Sequence, residues 1–463
     1  MKKIALKLFF QLAISLSIGI LGYKWGLNFS QALSLSVFIL SILGTLFFWD
    51  FRLSFAFLGT SLLLLTHTID LENLIKFSSL EVILFLVGMM VLIGFLKEGG
   101  FFAWLVSIIL RMRKLTATKF LISISIISAL LACAVDEVTS IIFMVVAILE
   151  ICDYFEVNPS PFVISSVLAT NIGSSGTVLG NPIGILIATK SGLTFEDFIF
   201  KAFPLMLVSL AVTILIIRFW YHKPLEELDK KIKELGANEI LVRLISVPPE
   251  KILKVALGIF GLTLCFISLH HRLEIILGLA PNTILLLVPL ISSGLVMFWR
   301  WKKARAYIEK DVEWWTLLFF LMLFAQSGTL KYTGATDVFA RRISALVGHN
   351  LIFLTGCLLW LSCFGSSILD NVVLVAAFIP VVQGFASLGF SLRPLWWALL
   401  FGACYGGNIT LVGSTANIVA LGLLEKEKEI RIKFLQWLGI GLIVGIVTTA
   451  LAWYYLAIIY PKM

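Results

Sequence analysis

Asp136-Glu137-Val138-Thr139, followed by Asn171-Ile172-Gly173-Ser174-Ser175-Gly176-Thr177-Val178-Leu179-Gly180-Asn181-Pro182, decides how this chain is read. The pattern occurs again as Asp370-Asn371-Val372-Val373, followed by Gly406-Gly407-Asn408-Ile409-Thr410-Leu411-Val412-Gly413-Ser414-Thr415-Ala416-Asn417. Each copy sets an acidic tip ahead of a Gly/Asn/Thr-rich break, inside sequence otherwise apolar enough for a bilayer. Polar, irregular backbone is tolerated at membrane depth where it is buried in protein or lines a cavity. Two such places in one chain point to a transport site built by two repeats.

The repeat is visible in the letters around the motif. At an offset of 234, Leu84/Leu318, Phe85/Phe319, Gly94/Gly328, Leu96/Leu330, Lys97/Lys331, Gly100/Gly334, Asp136/Asp370 and Val138/Val372 coincide. At 233, after a slip of one residue, Gly173/Gly406, Thr177/Thr410, Gly180/Gly413 and Ile185/Ile418 coincide. Apolar matches are expected by chance in such a chain, whereas Lys, Asp, Thr and several Gly pairs in one register are not.

Of the 463 residues 60% are hydrophobic and 14% charged, and mean hydropathy is +1.02. Soluble domains carry about 25% charged residues, so this is a polytopic membrane protein. The most extended polar segment, 222–251 with Pro248-Pro249, is too short for a separate catalytic domain. The net charge of +9 is read as topology and not as affinity for nucleic acid, because Lys and Arg gather in short loops: Lys2-Lys3, Arg111 to Lys114, Lys223 to Lys254, Arg300 to Arg305 and Lys426 to Lys433. Basic loops stay cytoplasmic, which places the protein in the cytoplasmic (inner) membrane with its N-terminus inside. Gly22-Tyr23-Lys24-Trp25 after the first apolar run offers no small-residue cleavage site, so that run is read as a retained span. The six cysteines lack CxxC spacing and read as small core residues.

About 20 apolar residues cross a bilayer. Candidate spans are 4–22, 31–48, 53–66, 80–96, 161–189, 199–219, 252–269, 277–299, 314–330, 395–424 and 434–457. The pairs 118–135 with 140–155 and 350–369 with 371–389 read as re-entrant hairpins, because a charge at each midpoint is costly in lipid. Segments 101–112 and 337–348 read as interfacial helices. The expected fold is therefore all-α, with about eleven transmembrane helices and two hairpins. Its parts are N-terminal scaffold helices (1–77), a first repeat (78–220), a loop with two linking helices (221–311) and a second repeat (312–457). Span 80–96 runs inward while its counterpart 314–330 runs outward, so the repeats are inverted.

The chemistry follows from these positions. A carboxylate at the midplane needs a cation, a proton or a basic partner, and a hairpin tip gathers free backbone groups and half-helix dipoles able to hold ions. Asp136 and Asp370, flanked by Glu137 and Asn371, are the expected sites for H⁺ or Na⁺, although Asp also caps helices. Gly and Pro unwind the breaks, where Asn and Thr supply donors and acceptors without charge. Candidate substrate or ion ligands are Asp136, Glu137, Thr139, Asn171, Gly173, Thr177, Gly180, Asn181, Asp370, Asn371, Asn408, Thr410, Gly413, Ser414 and Asn417. His270-His271 and Glu274 read as a short loop, and Glu81 and Glu313 as interfacial residues. The sequence holds no HExxH, no GxGxxG and no phosphate loop ending in Lys-Ser/Thr, so neither ATP-driven transport nor a resident cofactor is expected. An intramembrane enzyme using Asp136 and Glu137 as an acid/base pair leaves the second copy unexplained. A passive channel does not suit breaks that look like occluded sites.

At these residues the chain resembles the ion transporter superfamily, in its branch of arsenite permeases and sodium–proton antiporters. That branch includes the melanosomal P protein and, more distantly, citrate and dicarboxylate transporters. The resemblance rests on Asp136, Val138 and Thr139; on Asn171, Ile172, Gly173, Thr177, Gly180 and Pro182; and on Asp370-Asn371, Gly406-Gly407-Asn408, Thr410, Gly413 and Asn417. It covers roughly residues 78–457. It implies a secondary transporter, commonly dimeric, whose hairpins and broken helices carry a small inorganic ion or organic anion past a fixed scaffold. Asn181, Ile183 and Gly184 stand where that pattern has an acid, a second proline and an asparagine, and Glu137 replaces the tip asparagine. An acidic group has in effect changed position.

Overall fold

A computed structural model describes residues 2–101, 104, 105, 107, 116–234, 251–347 and 350–460. The expected interfacial segment 101–112 lies largely outside the described residues, as do Arg111, Arg113, Lys114, Pro248-Pro249 and His349. Every regular element among the described residues is a helix. The N-terminal set is α1 (Lys2–Lys24), α2 (Phe29–Phe47), α3 (Arg52–Leu65) and α4 (Leu71–Phe77). The next set is α5 (Leu80–Glu98), α6 (Ala117–Ala134), α7 (Glu137–Tyr154), α8 (Ser160–Gly173), α9 (Pro182–Ser191) and α10 (Phe195–Trp220). Then come α11 (His222–Glu234), α12 (Lys251–Ser268), α13 (His270–Leu277) and α14 (Thr283–Trp299). The last set is α15 (Trp314–Tyr332), α16 (Ala335–Val347), α17 (Leu351–Ser366), α18 (Asn371–Gly384), α19 (Arg393–Gly406), α20 (Thr415–Lys428) and α21 (Phe434–Ile459).

The second set and the last set share one order: a long helix, two arms around an acidic tip, a helix in two halves, and a long closing helix. Among the described residues, eight helices are long and apolar enough to cross a membrane, and α3, α8, α14 and α17 are shorter apolar helices. The 18 residues of α6 measure about 27 Å at 1.5 Å per residue, close to the ~30 Å hydrocarbon core. Phe219, Phe298 and Leu435 are exposed, as suits side chains facing lipid. The fold is that of an all-α multi-pass membrane protein.

Both stretches expected as single broken spans are split by their turns. Segment 161–189 becomes α8 and α9, and 395–424 becomes α19 and α20. Pro182 opens α9 in the first helical turn, where its missing N–H is no loss. Inside each set, α6 packs along α8 and α17 along α19. This is possible because Gly173 and Gly406 lack side chains. A Cβ on Gly173 would lie 2.3 Å from the Ala129 carbonyl oxygen, and one on Gly406 would lie 2.2 Å from that of Cys363. Between the sets the packing is exchanged: α7 lies against α20, and α18 against α9. Each tip helix thus meets the second half-helix of the other repeat.

Residues 270–274, expected as loop, form the start of α13, with His270 and Glu274 buried. The reason is local: Glu274 Oε1 accepts the backbone N–H of Ile284 at 2.9 Å, satisfying a free donor at the start of α14. That span consequently begins at Thr283 and not at 277. Among the cysteines, Cys133, Cys152, Cys363 and Cys404 are buried as expected, whereas Cys265 is exposed, and all six are free thiols.

Candidate functional site

The two tips are built alike. Asp136 precedes α7, and its Oδ1 accepts the backbone N–H groups of Val138 at 2.9 Å and Thr139 at 2.8 Å. Asp370 precedes α18, and its Oδ1 accepts Val372 N–H at 3.0 Å. Both aspartates are N-caps, placing negative charge at the positive end of a helix dipole. The second oxygen of Asp370 accepts a hydrogen bond from Thr415 Oγ1, across in α20.

Each break is pinned to its own tip by a matching threonine. Thr177 Oγ1 donates to the Cys133 carbonyl and accepts Leu179 N–H at 3.1 Å. Thr410 Oγ1 donates to the Ser367 carbonyl and accepts Val412 N–H at 3.3 Å. The residue ending each break caps the half-helix after it: Asn181 Oδ1 accepts Gly184 N–H at 2.8 Å, and Ser414 Oγ accepts Ala416 N–H at 3.2 Å. Unwound backbone is left with free groups, and these side chains satisfy them without charge. Gly180 and Gly413 close the turns, with no room for a Cβ beside the carbonyls of Ser174 and Gly407.

The repeats meet through amides and one acid. Asn171 Nδ2, in α8, donates to Asn408 Oδ1 and to Asn417 Oδ1, each at 2.9 Å. Asn417 Nδ2 in turn donates to the carbonyls of Gly407 at 2.7 Å and Thr410 at 2.8 Å, holding the second break in shape. Glu137, the first residue of α7, is buried. Asn371 Nδ2, the first residue of α18, donates to both its oxygens at 3.0 and 3.2 Å, and Ser414 Oγ donates at 3.4 Å. Glu137 also lies within electrostatic reach of Asp136 and Asp370. A buried carboxylate therefore spans the junction of the two repeats, held by neutral donors and close to two more acids.

A cavity of about 80 Å³ reaches this junction. It is walled by Asp136, Glu137 and Thr139 from the first tip, Val372 and Thr415 from the second repeat, and Phe85, Met89 and Phe320 from α5 and α15. It shares Val138, Ile142, Glu313, Thr316 and Thr415 with a wider mouth of about 540 Å³ that also takes in Trp49 and Arg52. Arg52 is buried, stacked 3.8 Å from the Trp49 ring centroid, and donates to Thr316 Oγ1 at 3.4 Å. The mouth takes in Glu313, Trp315 and Thr316 at the start of α15.

A profile of the citrate transporter family matches residues 38–402. The chain belongs to that family. An uncharacterized transporter of Mycobacterium tuberculosis is 30% identical over 383 residues, covering 82% of this chain and 86% of its own length. The human P protein is 25% identical, covering 84% of this chain and 54% of its own. The YdaH transporter of Alcanivorax borkumensis superimposes with a TM-score of 0.55 at 15% identity, over 84% of this chain and 87% of its own, and shares the fold. This member of the citrate transporter family is thus a membrane transporter, and neither the family nor these relatives are enzymes.

Within this transporter the structure gathers the sequence-derived residues at one junction while giving them unequal parts. Glu137, Asn371, Ser414 and Asp370 meet around the acid, and Asn171, Asn408 and Asn417 meet as a second group behind it. Asp136 and Thr139 face the cavity. Thr177, Asn181 and Thr410 turn into the protein as fasteners of the breaks, and Gly173, Gly180 and Gly413 serve close packing. Thr415, Arg52 and Glu313 were not among the candidates. An Arg within an apolar segment was the available signal for Arg52. Thr415 stood one residue beyond Ser414 with nothing to mark its reach to Asp370, and Glu313, expected at the interface, is on the wall of the cavity.

Proposed function

We propose that this citrate-transporter-family protein is an ion-coupled secondary transporter of a small anion, either a carboxylate such as citrate or an oxyanion such as arsenite. It works by alternating access, and H⁺ or Na⁺ is the coupling ion. Glu137 is the observation that carries the reading. A buried carboxylate held by the neutral groups of Asn371 and Ser414, with Asp136 and Asp370 nearby, calls for a mobile cation or proton to be tolerable at membrane depth. Arg52 at the cavity mouth supplies a positive group on the route of an anion. The family's citrate transporters favour a carboxylate. The exchanged packing of α7 with α20 and α18 with α9 supports movement of tips and breaks as one body against α5 and α15. The basic loops support a cytoplasmic N-terminus in the inner membrane, and the resemblance supports a homodimer.

Flux of labelled citrate and arsenite into proteoliposomes, under separate Na⁺ and pH gradients, tests this. Gradient-driven accumulation of either solute is expected. Proton movement on adding Na⁺ alone, with neither anion transported, would overturn the reading in favour of a Na⁺/H⁺ antiporter.

A further inference from the structure

A second cavity, of about 210 Å³, lies at the other end of the same three helices. Along α15, Thr316, Leu317 and Phe320 line the acid-bearing cavity, whereas Phe324, Ser327 and Lys331 line this one. From Thr316 to Lys331 the helix rises about 22 Å at 1.5 Å per residue. The same division holds on α9, with Pro182 at the first cavity and Lys190 at the second, and on α18, with Val372 and Gln383. The rings of Phe320 and Phe324 stand between the two, stacked at 5.9 Å with planes 18° apart. The protein therefore carries two chambers in line, divided by an aromatic pair.

Their chemistry is opposite. The first is lined by Asp136, Glu137 and Glu313; the second by Lys76, Lys190 and Lys331. Lys190 pairs with Glu81 at 3.2 Å, and Lys331 donates to Gln383 Oε1 at 2.9 Å. Lys76 has no ion-pair or hydrogen-bond partner among the described residues. Three ammonium groups thus face one carboxylate. Ser79 lines the same cavity at 1% exposure, and its hydroxyl has no hydrogen-bond partner. Its backbone is left-handed, with φ 51°, a strained choice for a non-glycine residue. An unpaired buried hydroxyl costs about 1–3 kcal/mol. Such a donor beside a surplus of cations fits a missing acceptor.

We propose that this lysine-lined cavity is an anion-binding vestibule: it receives the carboxylate substrate on the face opposite the acid-lined mouth, with Lys76, Lys190, Lys331 and the Ser79 hydroxyl as donors. The volume has room on the order of seven waters at about 30 Å³ each, so a hydrated small polycarboxylate is a suitable occupant. The Phe320–Phe324 pair then separates the anion-collecting chamber from the cation-binding one. The inference rests on the reading of an anion as substrate.

Citrate flux and citrate binding are measured on the full-length protein in proteoliposomes, for wild type, Lys76→Gln/Lys331→Gln and Ser79→Ala. The lysine pair is expected to raise KM for citrate roughly tenfold, with maximal rate retained and salt dependence flattened, as loss of electrostatic attraction predicts. Ser79→Ala is expected to raise KM by a smaller factor without loss of folded protein. Wild-type flux with an unchanged citrate KM in all variants would overturn the vestibule and leave the function reading in place. In that case the lysines serve only the C-terminal ends of their helices. Absence of citrate and arsenite flux in wild type would overturn both.

Discussion

The first tip and the second tip share a backbone and differ in charge. In both, an aspartate caps the helix that follows, and in both a threonine from the break bonds a carbonyl of the arm before the tip. One residue further on, repeat one has Glu137 and repeat two has Asn371, and these two side chains bond each other. The symmetric positions maintain shape, which both halves need equally. The unequal position supplies charge, which needs to be present once, since a second acid opposite Glu137 would meet it as like charge in a buried place.

The comparison can be broken most sharply at Glu137. Glu137→Gln keeps the size and one acceptor oxygen while removing the charge, and it is expected to lower ion-coupled uptake by roughly 100-fold, the upper part of typical coupling energies. Uptake measured in proteoliposomes at equal protein incorporation checks it, and undiminished coupling would remove Glu137 from the mechanism. Asp370→Asn is the next largest. Asn caps a helix as well as Asp, so melting in detergent should barely move while coupled uptake falls by about tenfold or more. An equal loss of both would make Asp370 a cap alone.

The exchange Glu137→Asn with Asn371→Glu sharpens the same contrast. If the acid is needed at the junction and not in a particular repeat, the double variant should recover most of the coupling that Glu137→Asn loses. The smallest expected transport effect belongs to the packing positions. Gly406→Ala would set a methyl 2.2 Å from the Cys363 carbonyl and should cost about 1–3 kcal/mol of stability, as overpacking does. It would be read as a lower melting temperature, with coupling ratio unchanged in the protein that folds.

The repeat, the helical class, the tips and the breaks were legible because each is a matter of spacing: apolar runs, two offsets, and Gly or Pro where the chain turns. Capping was legible in kind, since Asp136, Asp370, Asn181 and Ser414 are residue types that cap. What could not be read was which repeat each polar side chain would face. Thr177 and Thr410 have the composition of ligands and act as fasteners. Glu137 looked like a neighbour of the important residue and occupies the junction itself. Arg52 and Thr415 come near the tips by packing between segments far apart in sequence, which leaves no local mark. Glu274 likewise caps a helix ten residues on.

Asn171 finds its two partners 237 and 246 residues later in the chain, and Glu137 finds Asn371 at a separation of 234. During synthesis the first half of the molecule therefore reaches the bilayer with Asn171 and Glu137 still lacking these partners. It must wait in a hydrated or chaperoned form until α18 to α20 have been made. Assembly is thus expected to be late and all-or-none, and a truncated first half should be recognised by the cell's membrane quality control as unfinished.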